Sequence, residues 1–264
     1  MARETTILAV AGKGGVGKTS LSAAFVRLLS EAYPDRRILA IDADPAVGLA
    51  WALGVEVRET LDDIRKSIVS SVEDGAPRQA IELLGEARFR ILDTMVEERK
   101  FAFLAIGRPE SAGCYCTVNA YLKEVITLLA GDFDYVVIDG EAGVEQINRR
   151  VMEQVTHLVL VTDPSRRGVQ VAQTIRRVAE ELVMYRRCGV VVNRLEEPET
   201  AGRMDLGGLE PLAMIPADRA QAGNDVLGKS VFDLPPGAAI LRGAAVCLGK
   251  LGILPAGAEN GKEV

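Results

Sequence analysis

Gly12-Lys13-Gly14-Gly15-Val16-Gly17-Lys18-Thr19 follows directly on the apolar run Thr6-Ile7-Leu8-Ala9-Val10-Ala11. The octet matches the phosphate-loop pattern G-x4-G-K-[ST] at every position, between a strand and a helix opening near Lys18. Each residue type has a physical reason. Glycines let backbone N–H groups curl around a β-phosphate, and the helix N-terminus adds partial positive charge. Lys18 is placed to contact β- and γ-phosphate oxygens. The Thr19 hydroxyl is placed to ligate Mg²⁺, and Ser20 stands next in line.

Outward from this loop, short β-branched runs alternate with longer helical patterns. Strands are expected over 6–11, 37–41, 101–106, 134–138, 157–162, 188–193 and 211–215. Most are apolar on both faces, as at Val136-Val137-Ile138 and Leu158-Val159-Leu160-Val161, which suits a parallel sheet covered on both sides. Helical patterns lie near 19–33, 60–71, 117–130, 144–155, 166–184 and 238–251. The alternation predicts one α/β domain over 1–254: a doubly wound, mostly parallel sheet of about seven strands with helices on both faces. Residues 72–100 read as irregular, and 255–264 as a frayed tail.

Composition narrows the functions available. The 264 residues carry 31 Lys+Arg against 37 Asp+Glu, a net charge of −6 that argues against general nucleic-acid binding. No apolar run approaches the ~20 residues a membrane-spanning helix needs. Met1-Ala2-Arg3-Glu4 shows no charged-then-apolar leader pattern, so a cytoplasmic location is expected. Four cysteines and one histidine are too few for a disulfide scaffold, and too few for a zinc site built from dispersed ligands.

The second loop lysine, Lys13, makes the motif more specific. Lys13-Gly14-Gly15-Val16-Gly17-Lys18-Thr19 resembles the deviant Walker A loop of the MinD/ParA ATPases, a group that includes the nitrogenase iron protein. That resemblance implies ATP/ADP with Mg²⁺, a nucleotide-dependent homodimer, and a Lys13 that reaches the partner's nucleotide to neutralise charge during hydrolysis. It also assigns roles to three acids. Asp44, in Asp42-Ala43-Asp44-Pro45, aligns with the water-activating switch aspartate, and Asp42 supports Mg²⁺ or its waters. Asp139 closes Tyr135-Val136-Val137-Ile138-Asp139 as the Walker B acid and opens Asp139-Gly140-Glu141-Ala142-Gly143, similar to the second switch. Val190-Val191-Val192-Asn193-Arg194 resembles the strand whose Asn bonds the adenine. Met214-Ile215-Pro216-Ala217-Asp218 resembles the loop whose backbone reads the base's other edge. No Asp accompanies Asn193 in an N-K-x-D pattern, which favours ATP over GTP.

Gly107-Arg108-Pro109-Glu110-Ser111-Ala112-Gly113-Cys114-Tyr115-Cys116 supplies the cargo clue. Two thiols at i and i+2 on extended backbone point to one side and can chelate one soft metal ion. A disulfide between them would close a very tight ring. A lone C-x-C leaves open that the thiols are incidental. If they bind metal, two thiolates under-coordinate it, and a two-fold dimer doubling Cys114 and Cys116 to four sulfurs completes the set. Together with the loop and Asp139-Gly140-Glu141-Ala142-Gly143, this segment resembles the CooC-type ATPases and the related accessory proteins of acetyl-CoA synthase. The resemblance implies Ni²⁺ or Zn²⁺ at a dimer-bridging cysteine site, and a client nickel enzyme, carbon monoxide dehydrogenase or acetyl-CoA synthase.

Three other readings compete. A ParA-like ATPase would bind DNA, but the arginine pairs at 166–167, 176–177 and 186–187 fall about 80° out of phase around a helix and make no stripe. A MinD-like membrane regulator would need a basic amphipathic tail, which Pro255–Val264 lacks. An iron–sulfur-carrying ATPase similar to the nitrogenase iron protein would, by that resemblance, space its cysteines far apart, unlike Cys114-Tyr115-Cys116. The expectation is therefore no nucleic acid and no membrane partner.

Overall fold

The computed structural model describes residues 4–73, 77–98, 100–107, 116–142, 144, 151 and 154–255. The chain runs β1 (Thr6–Gly12), α1 (Lys18–Ala32), β2 (Ile38–Asp42), α2 (Gly48–Leu53), α3 (Leu61–Glu73), α4 (Pro77–Thr94), β3 (Val96–Glu98), β4 (Phe101–Ala105), α5 (Cys116–Ala130) and β5 (Tyr135–Ala142). It continues through β6 (His157–Thr162), α6 (Arg166–Leu182), β7 (Arg187–Leu195), β8 (Pro211–Pro216), α7 (Arg219–Val226) and α8 (Ala239–Lys250). The eight strands form one sheet in the order β3-β4-β2-β5-β1-β6-β7-β8, parallel except for the β3–β4 pair at one edge.

The period-2 alternation of each strand divides the core between the two faces of this sheet. Leu8 and Val10 of β1 join Ala40, Val137 and Val159 on the face covered by α1, α2 and α8. Ala9 and Ala11 join Leu39, Ile41, Val136 and Leu158 on the face that buries apolar residues of α3, α4, α5 and α6. Helix α1 follows the phosphate loop because Leu21, Phe25, Val26 and Leu29 recur at helical spacing and are all buried. At roughly 1.5–3 kcal/mol for each fully buried large side chain, this stripe fixes the helix on the sheet. The loop before it inherits that rigidity.

Seven strands stand where the sequence places them. The eighth, β3, has three residues and two glutamates, so no β-branched run announces it. It pairs Val96 with Phe103 and Glu98 with Phe101. Three helices, α2, α4 and α7, go beyond the sequence reading. Helix α2 is only six residues long, too short for a periodic pattern, and α4 occupies the stretch that Gly85 makes look irregular. The helix expected over 144–155 falls mostly outside the described residues. Of that span, Val144 and Val151 are buried and Gln154 bridges in parallel to Met184. In the expected tail, Pro255 is exposed and 256–264 lie outside the described residues.

Candidate nucleotide site

In an open parallel sheet, ligands gather at the carboxyl ends of the strands, and here β1, β2, β5 and β6 bring their carboxyl ends together. Gly12 ends β1 so close to β6 that an added Cβ would lie 2.2 Å from the Val161 carbonyl oxygen, a backbone atom. Gly17 caps α1 in the left-handed region at φ 94°, with no side chain capping the first turn. The leading N–H groups of α1 are therefore left for an anion. Gly12→Ala is expected to cost about 2–4 kcal/mol, because neither strand backbone can yield without losing ladder bonds. Thermal melting of the two proteins checks this.

Lys18 is buried, and its ammonium donates to the Lys13 carbonyl at 3.3 Å, folded back along the loop where phosphates would sit. Lys13 itself is partly exposed and pairs with Asp163 at 3.8 Å. Asp163 also accepts hydrogen bonds from the Ser165 backbone N–H and hydroxyl. Burial works against its ionisation, but the Ser165 bonds, Lys13 and Arg194 outweigh it and hold the carboxyl below the usual range. This acid was passed over in the sequence, although it stands at a strand end facing the same crevice, the signal that picks out Asp42 and Asp139.

Asp42 and Asp139 are directly opposed in the β2–β5 register and both are fully buried. Asp42 accepts the N–H groups of Asp44 (3.0 Å) and Leu49 (2.8 Å), so both its oxygens organise the turn into α2. Burial and then the neighbouring Asp139 push its carboxyl up to about 7. Asp139 Oδ1 accepts from the Ser22 hydroxyl at 2.9 Å, while Oδ2 is buried and takes no hydrogen bond among the described residues. Burial pushes Asp139 up to about 6, against the restraining Thr19 hydroxyl nearby, the Ser22 bond and the Lys18 charge. Ser22 was also missed, and only its position one turn beyond Lys18 on a helix could have shown it.

An acceptor-only oxygen left orphaned in a dry crevice beside Asp42 and Thr19 is the donor chemistry of a hard divalent cation. The same burial has a pH signature. Each carboxyl is held above its unfolded value. The stability it contributes is present below the ordinary carboxylate range and lost as pH rises through about 6 to 7. His157, depressed by burial and the adjacent arginines, contributes in the opposite sense. Asp139→Asn removes one titration and the like charge acting on Asp42. In metal-free buffer, the fall in melting temperature from pH 5 to pH 8 should flatten in this variant relative to the parent. An unchanged slope would refute the assignment.

Asp44 is half-buried at the entrance, its Oδ1 accepting from Ala46 N–H at 2.9 Å. Asn193 is placed differently from a free base reader. Its amide donates to the Val16 carbonyl at 2.9 Å, and its oxygen accepts from the Arg194 N–H, so β7 is tied to the phosphate loop. Arg194 is exposed, at φ 65°. Pro216 and Ala217 are exposed, and Ala217 N–H bonds the Leu195 carbonyl. Asp218 spends one oxygen capping α7 and the other on Ile240 N–H. Its side chain is thus a fastener for two helices. A small cavity beside Ser20 is lined by Lys229 and by Gln221, Asn224 and Asp225, which the sequence reading did not single out.

Cys114 lies outside the described residues, and Cys116 opens α5 with its side chain likewise outside them. Among the described residues no cluster of three or more His, Cys, Asp or Glu gathers as a metal site. Burial pushes the Cys188 thiol up to about 11 and the buried Cys247 thiol up to about 12, so neither is poised as a thiolate ligand. Three arginines of the sequence pairs close on glutamates: Arg176 on Glu180, Arg186 on Glu4, and Arg187 on Glu210. No helix among the described residues is long and apolar enough to cross a membrane.

A doubly wound sheet with a glycine-rich loop feeding an uncapped helix, two lysines and opposed buried acids defines a P-loop ATPase. The chain belongs to the CobQ/CobB/MinD/ParA nucleotide-binding family, whose domain matches residues 7–230. It is 38% identical over 234 residues to the ATP-binding protein MJ0685 of Methanocaldococcus jannaschii, covering 87% of this chain and 91% of that one. It is 33% identical over 242 residues to the carbon monoxide dehydrogenase accessory protein CooC of Rhodospirillum rubrum, covering 87% and 90%. Among solved structures, the septum site-determining protein MinD of Pyrococcus horikoshii with Mg-ADP superposes with a TM-score of 0.66 at 22% identity, over 98% of this chain and 100% of that one. A ParA family ATPase of Chlorobium tepidum gives a TM-score of 0.67 at 20% identity, over 94% and 98%. These two likenesses support the fold.

Proposed function

We propose that this ATPase is a metallochaperone whose nucleotide-gated homodimer binds and releases nickel for insertion into carbon monoxide dehydrogenase or acetyl-CoA synthase. ATP would sit on the loop with Lys18 on its β- and γ-phosphates. Thr19, Asp42 and Asp139 would hold Mg²⁺ or its waters, and the ion would supply charge neutralisation between the phosphates. Asp44 would orient and deprotonate the attacking water. Lys13, held by Asp163 within one protomer, would leave that pair to reach the partner's nucleotide. The Lys13–Asp163 bond spans 3.8 Å between partly exposed groups, so it is weak enough to exchange.

Two backbone bonds support a link between nucleotide and cargo. Ile106 N–H donates to the Asp42 carbonyl at 2.8 Å, and Asp62 N–H donates to the Ile106 carbonyl at 2.9 Å. The chain entering the Gly107–Cys116 segment is therefore fastened to the acid assigned to Mg²⁺. A change at Asp42 on nucleotide binding would be transmitted to the cysteines one segment away. The likeness to CooC, over nine-tenths of that protein, supports the choice of client.

The metal reading is tested by loading the full-length protein with Ni²⁺ or Zn²⁺ and measuring metal per dimer. Cys114→Ala and Cys116→Ala should each abolish tight binding and leave ATP binding intact. Unchanged stoichiometry in both variants would overturn the metal site without touching the ATPase assignment.

A further inference from the structure

Two non-glycine residues among those described sit at positive φ, Val47 at 52° and Arg194 at 65°. Only Val47 is β-branched, and for such a side chain the left-handed region is a steric outlier, because the atoms on Cβ crowd the following carbonyl. Val47 ends the Asp44-Pro45-Ala46-Val47 turn, its N–H donating to the Asp44 carbonyl at 3.0 Å. It also stands at the N-cap of α2 with no side-chain hydrogen bond, where valine is among the poorest caps. Its reversed backbone brings the chain back toward β2. The Leu49 N–H thereby reaches one oxygen of the Asp42 carboxylate at 2.8 Å, while the Asp44 N–H holds the other at 3.0 Å. Gly48 lies against Thr19, so that a Cβ added there would meet Thr19 Cγ2 at 3.6 Å. The strained residue closes a ring containing Asp42 and Asp44.

We propose that this ring is bistable, and that Val47 is a positioning residue whose strain keeps the closed form close to balance with an open one. A strained backbone persists only where its surroundings over-determine it. Here the surroundings are the two bonds to the Asp42 carboxylate and the packing of the half-buried Val47 side chain against the core. Glycine or asparagine would adopt the same φ without the steric penalty. Valine closes the ring and biases it to open. On opening, the Leu49 N–H leaves Asp42 and the segment bearing Asp44 is free to move. The consequence for turnover rests on the reading of Asp44 as the group that activates water. In the closed ring Asp44 accepts the Ala46 N–H at 2.9 Å, and release from the turn frees that oxygen for a water. A ring near balance is tipped by a small difference in how a nucleotide meets its two forms.

The test is hydrogen exchange at the Leu49 amide of the full-length protein without nucleotide, which reports how often the ring opens. Two variants share the loss of apolar packing and differ at the backbone. Val47→Thr keeps the branched Cβ, whereas Val47→Asn tolerates the left-handed region. Val47→Asn should exchange about fivefold or more slowly than Val47→Thr. In steady-state hydrolysis, Val47→Asn should have a kcat severalfold below that of Val47→Thr at similar KM, whereas a residue that only fills space would leave the two alike. Equal exchange in the two variants, or slower exchange in Val47→Thr, would overturn the bistable ring. Slower exchange in Val47→Asn with equal kcat would overturn the part Val47 plays in positioning Asp44. Normal hydrolysis by Asp44→Asn would instead strike the reading of Asp44 and leave the exchange result standing.

Discussion

Lys18→Ala should lower ATP hydrolysis on the order of a thousandfold or more, with nucleotide affinity falling alongside it. The physical reason is placement. The ammonium is buried within the loop and bonded at 3.3 Å to the Lys13 carbonyl, where water cannot substitute for it as phosphate charge develops. Its loss also deprives Asp139 of a restraining positive charge, so that carboxyl should titrate higher still, to the detriment of any cation held there. The fold should survive, because Lys18 contributes no side chain to either apolar cluster. Steady-state phosphate release, nucleotide titration and a melting curve separate the three effects. A variant that melts normally and still hydrolyses ATP at the parental rate would sink the site assignment.

Asp44→Asn should behave differently: MgATP binds, the dimer forms, and turnover falls by about 10²–10⁴. Asparagine keeps the oxygen that accepts the Ala46 N–H at 2.9 Å, and the backbone bond from Asp44 to Asp42 is untouched, so the turn into α2 should keep its shape. What disappears is the capacity to take a proton from water. The expected signature is a split, with little change in KM and a large loss in kcat. A comparable loss in both would mean that Asp44 positions nucleotide. Normal kcat would mean that the water is activated elsewhere.

On the proposed roles the two variants would divide the site between charge stabilisation and proton transfer, and the sequence reveals its residues unequally. The loop was legible because glycines, two lysines and a threonine at fixed spacing satisfy a local geometric demand that few unrelated sequences meet. Asp42 and Asp139 were legible because each ends an apolar strand. Asp163 ends one too, but its role depends on Lys13, 150 residues away, approaching it across the β1–β6 edge. Ser22 was hidden among ordinary small helix residues. Asn193 and Asp218 were found as motif residues, yet their bonds go to Val16 and to the starts of α7 and α8. Spacing along the chain does not encode such partners.

The amino-acid sequence by itself determined the α/β class, the parallel core strands, the phosphate loop and the acids at the strand ends. All of these follow from local periodicity and short-range spacing. Only the tertiary structure decided that β3 turns back to give the sheet an antiparallel edge. It alone set Asp42 opposite Asp139 in a buried register pair and left one Asp139 oxygen without a hydrogen bond among the described residues. It likewise closed Lys13 on Asp163. Each of these arises from residues far apart in the chain, brought together because two faces of one sheet had to be covered.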